Sequence, residues 1–131
     1  MKVLALDYGA ARTGVAVSDP TGTLARPLEV VERAASEAGL ARLAELVRLE
    51  EAEKVVVGLP LTLRGEHGLQ AEETERFVEA LTRVVGVPVE RFDERFTTAL
   101  AGQDAGGAPE DARAAAHLLA GYLQWTNRPQ A

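Results

Sequence analysis

The 131-residue chain contains no cysteine. It therefore forms no disulfide and offers no thiolate to a metal ion, which excludes the usual structural zinc sites and fits a reducing compartment. No apolar run approaches the length needed to span a membrane, and the apolar residues that follow Met1 and Lys2 are too few for a secretory signal peptide. We therefore expect a cytoplasmic protein with no membrane-spanning segment.

Positive charge is also scarce. Lysine and arginine together number 14 against 20 acidic residues, so the net charge is −6. A nucleic-acid partner would have to be recognised through locally placed cations, because the protein as a whole is acidic. The composition is otherwise that of an ordinary globular protein, with 47% hydrophobic and 26% charged residues. The length predicts a single domain, residues 1–131.

Hydrophobic periodicity predicts an α/β fold with a mixed five-stranded sheet. The first three strands follow one another without a helix, which favours an antiparallel meander, whereas helices connect the later strands and favour parallel pairing. Such a sheet would carry helices on both faces. The predicted strands are residues 2–7, 14–18, 24–31, 54–58 and 87–92, and the predicted helices are residues 36–51, 70–85, 97–102 and 109–125.

The first strand ends on a carboxylate. Residues 3–6 read Val-Leu-Ala-Leu, as expected of a strand buried on both faces, and Asp7 follows directly. A carboxylate in this position loses hydration and needs a cation or hydrogen-bond donors in return. One interpretation is that Asp7 accepts the backbone N–H groups of Gly9 and Ala10 in the turn. The other is that it binds a metal ion.

Two further acids are predicted to lie near Asp7. Glu94 ends the fifth strand, so it would emerge at the same sheet edge if the first and fifth strands were neighbours. Asp111 lies in the first turn of the last helix, on the stripe that contains Ala115, Leu118 and Tyr122, and should point inward. Alternatively, Glu94 is a solvated loop carboxylate, and Asp111 offsets the helix dipole.

Three carboxylates at one sheet edge repel one another unless a divalent cation lies among them. Oxygen ligands select hard ions, so the trio predicts a site for Mg²⁺ or Mn²⁺. Such ions activate water for phosphodiester hydrolysis. Candidate phosphate-binding side chains are Arg12 and Arg95 beside the acids, and Thr62 and Arg64 in the loop after the fourth strand. Each arginine could equally be a surface ion-pair partner, and that loop a plain turn.

Four stretches of the sequence resemble the YqgF family of RNase H-like nucleases. They are LDYGAARTGVAVSDP, VVVGLPLTLRGEHGLQA, DERFTT and DARAAAHLLAGYL, which together span nearly the whole chain. The resemblance implies an RNase H-like fold and a metal-dependent endonuclease, with Asp7, Glu94 and Asp111 as both the catalytic and the metal-ligating residues. It also implies a substrate that is either an rRNA precursor, matured at the 5′ end of pre-16S rRNA, or branched DNA at a Holliday junction. A ribosomal particle is an implied partner, and the protein would be a monomer or a homodimer.

One segment departs from the family pattern. Residues 99–110 are short and contain no lysine or arginine, whereas the family usually carries a longer basic segment there. We therefore expect fewer phosphate contacts and a weaker dependence of binding on salt. The sequence is also compatible with two other functions. The Asp-x-Gly hairpin also resembles the phosphate-binding hairpin of actin-like ATPases, although a single domain is too small for that architecture. A non-catalytic nucleic-acid or ribosome-binding module would retain the same fold.

Overall fold

The computed structural model describes residues 1–60, 68–94 and 109–127. Its elements follow the predicted order, and their bounds differ from the predictions by no more than two residues. The helix predicted at residues 97–102 lies outside the described residues. The strands are β1 (Val3–Asp7), β2 (Arg12–Ser18), β3 (Ala25–Glu32), β4 (Lys54–Leu59) and β5 (Val89–Asp93), and the helices are α1 (Glu37–Leu49), α2 (Leu69–Val85) and α3 (Glu110–Thr126).

Local chemistry sets the ends of these elements. Ser36 caps α1, because its Oγ accepts the backbone N–H of Gly39 at 3.0 Å. Gly86 ends α2 with a φ of 69°, the left-handed conformation that glycine adopts without strain. Strand β5 begins at Val89, two residues later than predicted, because Pro88 has no N–H to contribute to a ladder. Its carbonyl instead accepts the N–H of Val55 at 2.9 Å.

The strand order is β3-β2-β1-β4-β5. Strands β1, β2 and β3 pair in antiparallel fashion, and β4 is parallel to both β1 and β5. The predicted mixed sheet is therefore confirmed. The suggestion that the first and fifth strands are neighbours is wrong, because β4 lies between them. Pro27 lies on β3 opposite Ala16, where the pairing register shifts between Val15 and Ala16, as expected for a proline at a sheet edge or bulge.

Alternate strand residues face two separate cores. One core joins the sheet to α1 and α2 and includes Leu4, Leu6, Val15, Val57, Leu43, Phe77 and Leu81. The other joins the sheet to α3 and includes Val3, Ala5, Ala16, Val56, Phe92, Leu119 and Tyr122. Since side chains alternate along a strand, Asp7, Gly14 and Gly58 all lie on the face that α3 covers. The helices thus occupy both faces, as predicted.

None of the helices in residues 1–60, 68–94 and 109–127 combines the length and apolar character needed to cross a bilayer.

Candidate active site

Both strand neighbours of Asp7 are glycines. Gly14 lies opposite Asp7 on β2, and Gly58 follows Val57, which pairs with Leu6 on β4. A Cβ atom on Gly14 would lie 1.8 Å from the backbone oxygen of Asp111, and one on Gly58 would lie 2.7 Å from Oε1 of Glu94. Each glycine therefore makes room for one of the other two predicted acids.

Glu94 reaches Asp7 across the intervening strand β4. Its side chain crosses Gly58 and shares a hydrogen bond with the carboxyl group of Asp7. Burial raises the pKa of Glu94 to about 7, and the charge of Asp7 and this hydrogen bond contribute to the increase. Burial also raises the pKa of Asp7, helped by the negative charge of Asp111. In the absence of a cation, the protonated carboxyl of Glu94 donates to the carboxylate of Asp7 at pH values below about 7.

Asp111 lies at the rim of this acid pair. Its Oδ2 atom is 3.2 Å from Nε of Arg12, and the two side chains are 42% and 66% exposed, respectively. The prediction that Arg12 lies beside the acids is therefore confirmed, with Arg12 as the ion-pair partner of one of them. Asp111 was expected to point inward with Leu118 and Tyr122, which are buried on the same helix. It is instead partly exposed, and its carboxylate contacts the exposed guanidinium of Arg12 rather than the core.

The three carboxylates have the oxygen ligands that a hard divalent cation prefers, but only two of them, those of Asp7 and Glu94, lie together in this structure. The described residues contain no cluster of three histidine or acidic side chains already placed to hold a metal ion. Asp7 and Glu94 are together, whereas Asp111 is engaged by Arg12. A divalent cation would replace the shared proton of the buried pair and relieve the repulsion between its carboxylates. Asp111 would complete the ligand set if its side chain left Arg12.

A cleft of about 290 Å³ opens beside the acid pair. Tyr8 forms part of its wall, with its ring stacked on Phe77 at 4.3 Å between ring centroids. Sequence reasoning missed this wall. A signal was present, because the first turns of the helix that follows β4 must lie near the carboxyl end of that strand. The lining residues are Asp7, Tyr8, Gly9, Ala10, Pro60, Gln70, Glu73, Thr74 and Glu94.

Of the four predicted phosphate-binding side chains, the structure describes one, Arg12. Thr62, Arg64 and Arg95 lie outside the described residues. Arg12 is therefore the member of the predicted set that the structure locates, and its guanidinium contacts Asp111.

The mixed sheet, with one acid at the end of its central strand and another on the covering helix, defines an RNase H-like fold. Solved structures agree with this class. The structure of T. thermophilus RuvC in complex with Holliday junction substrate matches with a TM-score of 0.66 and 23% identity, covering 96% of this chain and 95% of that one.

Sequence comparison identifies the family within this class. A family model described as RuvX, Holliday junction resolvase, matches residues 1–125, and the chain belongs to this family. A protein of Moorella thermoacetica named "Putative pre-16S rRNA nuclease" is 42% identical over 132 residues, covering 94% of each chain. A protein of the same name from Chloroflexus aggregans is 48% identical over 101 residues, covering 77% of this chain and 71% of its own. The family predicted from the sequence motifs is confirmed.

Proposed function

We propose that this protein is a divalent-metal-dependent endonuclease that hydrolyses phosphodiester bonds in structured nucleic acid. One observation carries the proposal: the buried carboxyl pair of Asp7 and Glu94 lies at the end of the central strand, beside an open cleft, in a chain of a nuclease family. A stable fold gains nothing from two desolvated acids in contact, so their pairing points to chemistry.

The physiological reaction that we favour is maturation of the 5′ end of pre-16S rRNA. Its support is the shared name of relatives that align over most of the chain. The reaction would take place in the cytoplasm, with the precursor presented by a ribosomal particle. A particle would also compensate for the net charge of −6 and for the lack of basic residues at positions 99–110.

Three acids would hold the cation, which is Mg²⁺ or Mn²⁺. Bound there, it supplies an activated water molecule and charge stabilisation at the phosphate. Asp7 and Glu94 would lose their shared proton to act as ligands, and Asp111 would add a third carboxylate from α3. The cleft beside them, walled by Tyr8 and Thr74, would receive the strand that carries the scissile phosphate.

Resolution of Holliday junctions is the second candidate. The description of the family model favours it. Metal-binding carboxylates interact with phosphate in either substrate, so the choice depends on contacts with the wider nucleic-acid structure. The two candidates differ in substrate and share the same acids.

The test compares both substrates under the same conditions. Purified protein is incubated with Mn²⁺ or Mg²⁺ and either an RNA carrying the 5′ leader of 16S rRNA or a four-way DNA junction. We expect RNA cleavage that EDTA abolishes. Asp7→Asn should lower the cleavage rate by more than about 100-fold, since a cation ligand is lost. Thermal unfolding of the variant should show that it remains folded.

A matched control is available in the turn between β2 and β3. Asp19 is also an aspartate at a strand end, but its carboxylate accepts the N–H groups of Thr23 and Leu24, each at 2.9 Å, at the opposite end of β2 from Arg12. Asp19→Asn should cleave at the wild-type rate. Cleavage by Asp7→Asn at that rate would refute the assignment. Cleavage of the junction alone would support the resolvase, and binding of both substrates and Mn²⁺ without cleavage would support a non-catalytic module.

A further inference from the structure

We infer that Arg12 is an exchange residue: it neutralises Asp111 while no cation is bound, and it transfers to a substrate phosphate when Asp111 turns to the cation. This inference rests on the proposed function. In this role, the contact between Arg12 and Asp111 couples cation binding to substrate binding.

The backbone of Asp111 is fixed, so its carboxylate can move only by side-chain rotation. The carbonyl oxygen of Asp111 packs directly against Gly14, two residues along β2 from Arg12. That same glycine is the strand partner of Asp7. The single methylene of Asp111 therefore pivots at a point between Arg12 on one side and the acid pair on the other. Its charge already acts on Asp7.

The ion pair is weak enough to exchange. The side chains of Arg12 and Asp111 are 66% and 42% exposed, and Nε of Arg12 lies 3.2 Å from Oδ2 of Asp111. Exposed pairs of this kind contribute little free energy, because water screens the charges and both side chains lose rotational freedom. A divalent cation beside Asp7 and Glu94 attracts the carboxylate of Asp111 more strongly than the solvated guanidinium does.

Once released, Arg12 has the chemistry to bind phosphate. Its planar guanidinium presents five N–H donors, which match two oxygens of one phosphate. It lies at the start of β2, beside the acids, so it can reach a phosphate next to the one held at the cation. The opposite possibility is a static surface ion pair that only fixes the first turn of α3.

These two roles predict different responses to Mn²⁺. Binding of Mn²⁺ is measured by isothermal titration calorimetry on the full chain for wild type, Arg12→Gln, Asp111→Asn and the double variant. Under exchange, Arg12→Gln binds Mn²⁺ about 2- to 5-fold more tightly, because Asp111 no longer has to leave a partner. In the Asp111→Asn background, the same change leaves the affinity unaltered. A through-space effect of charge would persist in that background, and its persistence would overturn the inference.

Arg26 provides the matched control. It forms a single ion pair with Glu50 at 3.4 Å, its side chain is 60% exposed, and it lies on β3 at the end of the sheet away from the acids. Arg26→Gln removes the same charge and should leave the Mn²⁺ affinity unchanged. An equal gain in affinity in both arginine variants would also overturn the inference.

Substrate binding gives a second readout with the opposite sign. Fluorescence anisotropy with the four-way junction or the leader RNA is measured in Ca²⁺, to limit cleavage, and in EDTA. Arg12→Gln should weaken binding about 3- to 10-fold in Ca²⁺ and reduce the salt slope by about one phosphate contact, with little change in EDTA. Equal losses in both buffers would refute exchange.

The outcomes separate this inference from the proposed function. If wild type binds no Mn²⁺, both fail together. If wild type binds Mn²⁺ and cleaves, but Arg12→Gln changes neither Mn²⁺ affinity nor the Ca²⁺-dependent part of substrate binding, only the exchange fails.

Discussion

The sheet face that α3 covers holds a glutamate at each of its two ends, and the two glutamates lie in opposite electrostatic environments. At one end, Glu94 lies against Asp7, and burial together with like charge raises its pKa to about 7. At the other end, Glu90 accepts hydrogen bonds from Nζ of Lys54 at 3.0 Å and from the Tyr122 hydroxyl at 3.1 Å. Glu90 lies on β5, and Glu94 directly follows the last residue of that strand, four positions later.

Phe92 separates the two environments. Its ring packs edge-on against Tyr122 at 5.4 Å and lies 5.8 Å from the Trp125 ring. Phe92 therefore belongs to the end where Lys54, Glu90 and Tyr122 are paired, which we call the satisfied end. At that end, Lys54 also donates to the Tyr122 hydroxyl at 3.0 Å, which completes a triangle of opposite charges and a phenol. The end that holds Asp7 and Glu94, which we call the acid end, has Gly14 and Gly58 where the satisfied end has bulky side chains. One end of the helix interface therefore has paired charges, and the other retains two desolvated acids in contact, as expected of the proposed active site.

The largest expected effect on stability comes from adding a methyl group at Gly14, which packs against the backbone of Asp111. Gly14→Ala places a Cβ atom 1.8 Å from a backbone carbonyl oxygen, which cannot move without displacing α3. We expect the free energy of unfolding to fall by about 3 kcal/mol or more, measured by urea denaturation.

Gly58→Ala is the control for that change, since it adds the same methyl group on the other side of Asp7. It meets side-chain atoms of Glu94 and Leu118, at 2.7 and 2.9 Å, which can rotate away. Its cost should be smaller, about 1 kcal/mol. Equal losses for the two variants would contradict the distinction between a backbone and a side-chain neighbour.

Removing a charge from the acid end should stabilise the metal-free protein. The pKa of Glu94 rises from 4.5 to about 7 on folding, so folding favours the protonated form. The folded state therefore loses relative stability as pH rises from about 4.5 to 7, when this carboxyl ionises. Glu94→Gln cannot ionise, so its advantage over wild type should be roughly 1 to 3 kcal/mol larger at pH 8 than at pH 5.

Urea denaturation in EDTA at both pH values measures this difference. Glu79→Gln, at an exposed position of α2, should shift stability by the same small amount at pH 5 and pH 8. A gain for Glu94→Gln that does not change with pH would show that the carboxyl pair is not the source of the instability. Added Mn²⁺ should reverse the ranking, because wild type then gains binding free energy that the variant lacks.

The sequence predicted the fold well because its local signals agree. The apolar runs, the Ser36 cap and the Gly86 stop each correspond to an observed boundary. The strand order was not accessible in the same way. The pattern predicted parallel pairing for the later strands, but the order of strands within the sheet depends on how the helices pack, which no local signal encodes.

The site was predictable as residue types and not as geometry. Asp7 and Glu94 were expected to meet, and they do, but across β4 rather than between adjacent strands. The side chain of Glu94 can cross β4 because residue 58 is a glycine. In the sequence, Gly58 indicated only the end of a strand. Arg12 was expected beside the acids, with an ion pair as one alternative, but its partner Asp111 was not named, because an ion pair between residues 99 positions apart has no local signature. The metal-ligand roles themselves stay a prediction.

The smallest expected effect tests the satisfied end. Lys54→Met removes the cation that binds both Glu90 and Tyr122, with side-chain exposures of 25% for Lys54 and 37% for Glu90. Since Glu90 keeps the Tyr122 hydroxyl, we expect a loss of about 1 kcal/mol in urea denaturation at pH 7.

The other lysine of the chain gives the control for this change. Lys2 is 26% exposed and pairs with Glu50 at 3.3 Å, but Glu50 also contacts Arg26 and keeps a cation when Lys2 is replaced. Lys2→Met should therefore cost a few tenths of a kcal/mol. A Lys54→Met protein more stable than wild type would mean that desolvation outweighs pairing at this end too. The two ends of the α3 face would then differ in the sign of their charges and not in how well those charges are satisfied.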